Sequence, residues 1–211
     1  MFKNFTVWEA MRIGGPVMYV LIICSILSIA VTIERLFYFY QRSRIERAAL
    51  MEMIKQALLG GDMKKALKIC ADIRSANSSV LMVGLHASNL DEKEITEAID
   101  RQIIIETNDL QRRTAIVGTI GSTAVYIGLL GTVFGIIETF RDISQIGSGG
   151  IDVVIRGISA ALVCTAAGLF VAIPAIIAYN YFVQRINGFV IDMELCASEV
   201  VSLMKVSKKI K

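Results

Sequence analysis

The residues of this chain best suited to chemistry are threonines in the middle of two long uncharged segments. Thr132 lies in the segment 114–137 and Thr165 in the segment 157–184. A threonine hydroxyl both donates and accepts hydrogen bonds, so in apolar surroundings these side chains can line a polar path or hold a partner's side chain. A second interpretation is plain helix packing, because small residues let membrane helices approach closely.

Each threonine belongs to a stripe of small residues that recurs in steps of three, four or seven. This spacing places a stripe on one face of an α-helix. The first stripe consists of Thr114, Gly118, Gly121, Gly128, Thr132, Gly135 and Thr139. The second consists of Ala161, Thr165, Gly168, Ala172, Ala175 and Tyr179. Packing explains the Gly and Ala residues but does not require threonine near the middle of both stripes, so both interpretations stay open.

The elements that must position these residues are membrane spans. Three uncharged segments are long enough, and they cover residues 13–33, 114–137 and 157–184. About 20 apolar residues cross a hydrocarbon core of ~30 Å. Of the 211 residues, 55% are hydrophobic and only 19% are charged, which agrees with a membrane protein. The alternative of a cleaved signal peptide at residues 13–33 is disfavoured, because no small-residue cleavage site follows.

The distribution of Lys and Arg predicts the orientation of the spans. Residues 34–113 contain 13 of them and residues 185–211 contain 5, whereas residues 1–12 and 138–156 contain 2 each. Positively charged segments stay on the cytoplasmic side. We therefore expect the first two ranges in the cytoplasm, and residues 1–12 and the short loop 138–156 on the outer side.

Outside the spans the pattern is helical. Residues 1–12 predict a short interfacial helix, and a frayed terminus is the alternative. In the cytoplasmic region 34–113, the first helix is expected to continue to Leu59, Asp62 to cap the next helix, residues 74–79 to form a loop, and residues 80–87 a further short helix.

Two helices are expected to be very long. Asp91 and Glu94 form a capping box, and no breaker follows, so one continuous helix is predicted from Asp91 to Phe140. The third span is predicted to lie in a helix from Asp152 to about Met204. The fold class is thus an all-α membrane protein with three transmembrane helices, two of which extend into a cytoplasmic helical region.

Several function classes are disfavoured by composition and motifs. The net charge of +3 and the near balance of 13 basic and 12 acidic residues in 34–113 do not indicate nucleic acid. The four cysteines lack metal-ligand spacing, and the single histidine, His86, has no partner at ligand spacing. No catalytic set or phosphate loop is found, so we expect no enzyme activity, no metal and no cofactor.

The spans resemble the ExbB/TolQ/MotA proton-channel family, and are closest to ExbB and TolQ. The similarity lies in Tyr126-Ile-Gly-Leu-Leu-Gly-Thr-Val-Phe-Gly and in the pattern from Gly157 through Ala161, Thr165 and Gly168 to Tyr179-Asn180, and it covers all three spans. It implies a subunit of an ion-driven motor in the bacterial inner membrane, with the N-terminus periplasmic and the C-terminus cytoplasmic. It also implies a homopentamer around a dimer of a single-span partner, ExbD or TolR, surrounded by membrane lipid.

Carried over by motif, Thr132 and Thr165 match the threonines that line the family's pore. The stripe residues expected to share this ion pathway are Gly128, Gly135, Ala161, Gly168 and Tyr179. Glu138 and Asp142, at the outer end of the second span, are candidates for gathering cations at the periplasmic mouth, although a simple helix-end role is the alternative.

One departure from the family concerns the third span. Where ExbB and TolQ carry Glu in a Gly-Ile-Ala-Glu-Ala-Leu pattern, this chain has Gly157-Ile-Ser-Ala-Ala-Leu, so Ala160 occupies that position. No acid therefore remains in any span. Either the titrating carboxylate comes wholly from the partner, or this branch of the family conducts ions differently. Proton is the favoured ion and sodium the alternative. A passive scaffold for envelope proteins is the competing function, and the sequence does not identify the envelope process that is served.

Overall fold

The computed structural model describes residues 15–42, 47–73, 75–146 and 151–210, and every regular element within them is helical. The helices are α1 (Gly15–Arg42), α2 (Arg47–Leu59), α3 (Met63–Asp72), α4 (Ala76–His86), α5 (Glu92–Gln111), α6 (Thr114–Ile146) and α7 (Ile151–Ile210), with a short 3₁₀ turn at Ala87–Asn89 between α4 and α5. The all-α class is confirmed. The predicted helix at residues 1–12 lies outside the described residues.

Three helices are long and apolar enough to cross a membrane. The spans predicted at 114–137 and 157–184 fall in α6 and α7, and the described part of the span 13–33 falls in α1. The most apolar windows of the first, second and third candidate spans have mean hydropathies of 2.4, 1.9 and 2.4. This confirms three candidate spans by length and composition.

The chain divides into two compact units. The first, called the span unit, comprises Met1–Glu34 and Arg113–Tyr181. The second, called the charged unit, comprises Arg35–Arg112 and Phe182–Lys211. In the span unit α1 packs on α6 and α7 through two small apolar clusters. One contains Val17, Leu21, Ala124 and Ala172, and the other Val31, Val117, Ile120 and Ala175.

The charged unit has a core of large side chains. Its most deeply buried members are Leu50, Ile54, Val80, Leu81, Leu85, Ile99, Leu110, Phe182, Met193 and Val200. Ion pairs cover this core, as the balance of charges predicts, and they join Arg42 to Glu106 at 2.6 Å, Arg47 to Glu199 at 2.7 Å and Lys205 to Glu92 at 2.7 Å.

Burial raises the pKa of the Cys70 thiol to about 11, so this cysteine stays protonated at neutral pH.

Both predicted helix caps are confirmed. The Asp62 carboxylate accepts a hydrogen bond from the backbone N–H of Lys65 at 2.9 Å. Asp91 and Glu94 form the predicted capping box at the start of α5. These polar side chains satisfy N–H groups that the first turn of a helix leaves without a partner.

The predicted continuous helix from Asp91 to Phe140 is wrong, because α5 ends at Gln111 and α6 begins at Thr114. Arg113 lies between them with φ 70°, in the left-handed region that non-glycine residues rarely adopt. Its guanidinium donates to the Glu34 carboxylate of α1 at 2.8 Å. We attribute the break between α5 and α6 to this ion pair, which helps to offset the backbone strain at Arg113. No pattern in the neighbouring sequence predicts the pair.

Three other predictions also differ from the structure. Residues 138–146 and 151–156, predicted as part of a loop, belong to α6 and α7. Ser75 caps α4, and Ser75 and Ser78 bond each other's backbone N–H groups, so residues 76–79 are helical and do not form a loop. The last helix continues past Met204 to Ile210. Since residues 43–46 lie outside the described chain, the predicted continuity from α1 to Leu59 stays a prediction.

Candidate ion pathway

The centre of the span unit is a contact in which the backbones of α6 and α7 almost touch. A methyl group added at Gly168 would lie 2.6 Å from the Ala124 carbonyl oxygen and 3.0 Å from the Gly128 Cα. One added at Gly128 would lie 2.9 Å from the Cys164 carbonyl oxygen. Such distances leave no room for a side chain, so glycine is required on both helices.

The contact continues in both directions as an antiparallel seam, which we call the glycine seam. Toward one end, Gly121 faces Ile176, and Gly118 faces the ring of Tyr179, where an added methyl group would lie 2.8 Å from the ring carbons. Toward the other end, Gly135 faces Ala161, with 3.0 Å between the added methyl group and the Ala161 Cβ. Gly128 and Gly135 of the first stripe therefore pack against Gly168 and Ala161 of the second within one chain, whereas Ala172 and Ala175 lie in the two apolar clusters with α1.

Helix α1 covers one edge of the glycine seam. A methyl group added at Gly131 would lie 3.1 Å from Val17 of α1 and 2.7 Å from Cys164 of α7. Gly128 faces α7, and on an α-helix Gly131 and Thr132 lie on opposite sides of it, about 60° and 40° away. Thr132 therefore lies toward the other edge of the seam. Thr132 and Thr165 are both only partly buried.

The two threonine hydroxyls have different hydrogen-bond partners. Thr165 Oγ1 donates across the seam to the Gly128 carbonyl at 3.3 Å, whereas Thr132 Oγ1 donates within α6 to the Leu129 carbonyl at 2.6 Å. A hydroxyl has two acceptor lone pairs in addition to its one donor. Because each proton is already engaged, these groups offer chiefly acceptor oxygens at the seam edge that α1 leaves uncovered.

The structure thus brings the predicted pathway residues to the contact between α6 and α7. Some of them lie along the seam, and the others lie toward its edge. Gly128, Ala161 and Gly168 are buried inside the seam, and Gly135 and Tyr179 are partly buried along it. Thr132 and Thr165 lie toward its edge. The threonines are the members of the set whose polar atoms suit a path for ions, and that role stays a prediction.

A cleft of about 890 Å³ lies in the span unit between the C-terminal end of α6 and the N-terminal end of α7. It is lined by both predicted mouth residues, Glu138 and Asp142, and also by Asp152 and Arg156. Sequence reasoning assigned no role to the last two, although their position among the few charges between the spans was an available signal. Ala160, at the position of the family's Glu, lines the same cleft with a side chain that ends at Cβ.

Candidate metal or relay groups lie elsewhere or do not assemble. Within the described ranges no three His, Cys, Asp or Glu side chains are grouped closely enough to hold a metal ion. His86 is exposed at the end of α4 in the charged unit, outside the predicted spans.

The fold and the apolar helices define a multi-pass membrane protein, and comparison with known proteins identifies its family. The model of the MotA/TolQ/ExbB proton channel family matches residues 72–195. This chain belongs to that family.

Individual relatives agree with this assignment. The chain is 30% identical over 201 residues to the biopolymer transport protein ExbB of Salmonella typhimurium, covering 89% of this chain and 80% of the relative. It is 28% identical over 201 residues to ExbB of Pseudomonas putida, where the alignment covers 89% of this chain and 59% of the relative. It is 39% identical over 100 residues to the Tol-Pal system protein TolQ of Pseudomonas aeruginosa, 46% of this chain and 43% of the relative.

Proposed function

We propose that this chain is the channel-forming subunit of an ion-driven motor of the ExbB/TolQ type in the bacterial inner membrane. In this proposal it energises an envelope or outer-membrane process through a single-span partner similar to ExbD or TolR. The observation that carries the proposal is the pair of threonines toward the edge of the glycine seam that α1 leaves uncovered. The family supports ion conduction in general terms.

Copies of the chain would assemble with this edge toward a shared cavity, and the resemblance implies five copies. The partner's span would occupy the cavity, with the threonine oxygens facing it. Charged groups inside a membrane are costly and usually functional, yet the predicted spans of this chain contain no acid. A carboxylate of the partner can then gain and lose a proton without a fixed opposite charge that holds it in one state.

The outer cleft would deliver the ion. Glu138, Asp142 and Asp152 favour cations near the mouth, while Arg156 limits the net negative charge of the lining. Proton is the ion we propose, and sodium is the alternative to be tested. The Lys and Arg distribution supports a periplasmic N-terminus and a cytoplasmic C-terminus.

The test removes the two hydroxyls while keeping the branched shape of the side chains. The double variant Thr132→Val, Thr165→Val is co-expressed with the single-span partner, and proton flux is measured in vesicles that contain the purified complex. We expect flux and energised transport to be lost while the complex still co-purifies, because the acceptor oxygens along the path are gone. The assignment of the pathway is wrong if flux is normal.

The matched control is Thr119→Val, Thr123→Val on the same helix. These side chains are exposed, and their hydroxyls bond carbonyls of α6 itself, those of Ala115 at 2.9 Å and Thr119 at 2.7 Å. Flux through this control should be unchanged, since it loses two span hydroxyls that are not at the seam edge.

An ionophore distinguishes the motor from the passive scaffold. A motor stops when the ion gradient is collapsed, whereas a scaffold continues to organise its partners. Envelope function that persists in cells treated with a protonophore and a sodium ionophore would favour the scaffold.

A further inference from the structure

The outward face of α1 carries an apolar stripe that does not stop where the uncharged segment stops. The stripe, which we call the outer stripe, consists of exposed residues that each lie three or four positions from another member: Ile26, Ile29, Ile33, Leu36, Phe37 and Tyr40. Its last three members lie beyond Glu34, in the range that charge counting assigns to the cytoplasm. Phe37 is 63% exposed and Tyr40 is 70% exposed, which is unusual for aromatic side chains facing water.

The opposite face of α1 accounts for its contacts with the rest of the chain. Leu21 and Val31 pack against α6 and α7 in the span unit. Within the charged unit Phe39 is buried and its ring lies 5.5 Å from that of Phe182. The Arg35 side chain is buried as well, with its guanidinium 4.6 Å from the Tyr38 ring. The guanidinium of Arg35, the residue after Glu34, therefore points away from the outer stripe and does not interrupt it.

We infer that the outer stripe contacts membrane lipid over its whole length, and that Phe37 and Tyr40 lie in the headgroup region of the bilayer. The first reason is continuity, because Ile26, Ile29 and Ile33 belong to a helix apolar enough to span a membrane. The lipid-facing surface simply continues along the same face of the same helix.

The second reason is the order of side chains along the stripe. The aliphatic residues come first, and the aromatic residues Phe37 and Tyr40 come last, followed by Arg42. Aromatic rings, above all those of Trp and Tyr, are favoured at the boundary between hydrocarbon and water, where the apolar body and the polar tip of Tyr are both satisfied. Contact with another protein chain imposes no such order.

The third reason is length. A span that ends near Ile33 leaves Phe37 about 6 Å and Tyr40 about 10 Å further along the helix. The headgroup layer on each side of the hydrocarbon is about 5–8 Å thick. The backbone of Phe37 is therefore expected within this layer, and that of Tyr40 about 2–5 Å beyond it. Side chains on a helix lean toward its N-terminus, which here is toward the bilayer, so the Tyr40 ring reaches back to the outer edge of the layer.

The test uses tryptophan fluorescence in the complete chain reconstituted into vesicles. Phe37→Trp and Tyr40→Trp are made separately in a Trp8→Phe background, because Trp8 is the single native tryptophan. The vesicles contain phosphatidylcholine brominated on the acyl chain either close to the glycerol group or close to the bilayer centre. Leu90→Trp, at another exposed apolar position that precedes α5, is the matched control.

We expect both stripe variants to lose more fluorescence with the shallow bromine than with the deep one, and the control to lose little with either. Two results would overturn the inference. Unquenched emission of a water-exposed tryptophan would mean that the stripe lies in solvent, and unquenched, blue-shifted emission would mean that a second protein chain covers it. The readout does not depend on ion flux, so it can fail or succeed independently of the proposed motor function.

Discussion

The span unit and the charged unit are both helical, but they pack in opposite ways. In the charged unit large side chains such as Ile54 and Leu81 are fully buried, and ion pairs cover them. In the span unit the central contact is made by Gly128 and Gly168, where two backbones meet without side chains. The outward surfaces differ as well, because the span unit exposes many large apolar residues, such as Phe134 and Phe170.

The difference follows from the solvent for which each unit is built. In water, removal of large apolar surface drives packing. In lipid that driving force is absent between helices, so close van der Waals contact between small residues takes its place. A single chain thus uses two packing principles, and the sequence position of a glycine alone does not say which one applies.

The largest expected loss of stability comes from a truncation in the core of the charged unit. Ile54→Ala removes a side chain that is 0% exposed and leaves a cavity, which typically costs about 2–5 kcal/mol of unfolding free energy. Denaturant unfolding of the complete protein in detergent, followed by circular dichroism, measures the change. Lys55→Ala, at the exposed neighbouring position, should change stability little. Equal effects from the two variants would mean that this core is not the stabilising element.

A smaller effect is expected in the span unit from the addition of a single methyl group. Gly168→Ala places a Cβ against backbone atoms of α6 that cannot move aside, so the helices must separate, at a cost of about 1–3 kcal/mol. Thermal unfolding of the purified complex measures the loss.

The matched control is Gly188→Ala on the same helix, where an added methyl group meets nothing within 4 Å. Here alanine should be neutral or stabilising by about 0.5–1 kcal/mol, because it favours the helix. If Gly168→Ala behaved like this control, the close approach of the two backbones would be refuted.

The smallest expected loss of stability distinguishes a glycine that faces a flexible side chain from one that faces backbone. At Gly84, in the charged unit, an added methyl group would lie 2.9 Å from Ile99 Cδ1, which is the far end of a flexible side chain. A shift of that side chain can relieve the overlap, so Gly84→Ala should destabilise the protein less than Gly168→Ala does. A larger loss at Gly84, measured in the same thermal assay, would contradict this ranking.

The faces of the membrane helices could be predicted from the sequence, because their small residues repeat at helical spacing. The caps at Asp62 and Asp91 could also be predicted, since both depend on local side chains. The break at Arg113 could not, because it involves Glu34, which is distant along the chain. The same limit applies to the partnership of the two stripes, where only the fold reveals that Gly128 meets Gly168 and that α1 covers the edge at Gly131.

The contact between the two stripes narrows the set of residues predicted to line the ion pathway. The family resemblance placed Gly128, Gly135, Ala161 and Gly168 on the ion path beside the two threonines, yet these small residues already have a packing role in the glycine seam. Thr132 and Thr165 are the stripe residues for which packing alone gives the weaker explanation. They therefore carry the central claim of the proposed function.

The most direct measurement of that claim is the accessibility of single cysteines to a charged thiol reagent in membranes. Thr132→Cys and Thr165→Cys are made in a background in which Cys24, Cys70, Cys164 and Cys196 are replaced by alanine. Leu130→Cys, an exposed position on the far side of α6, is the matched control. A hydrated ion path at the seam edge, beside the partner's span, predicts labelling at 132 and 165 and none at 130, where a lipid-facing thiol stays protonated and unreactive. Labelling at 130 with none at 132 and 165 would contradict the account.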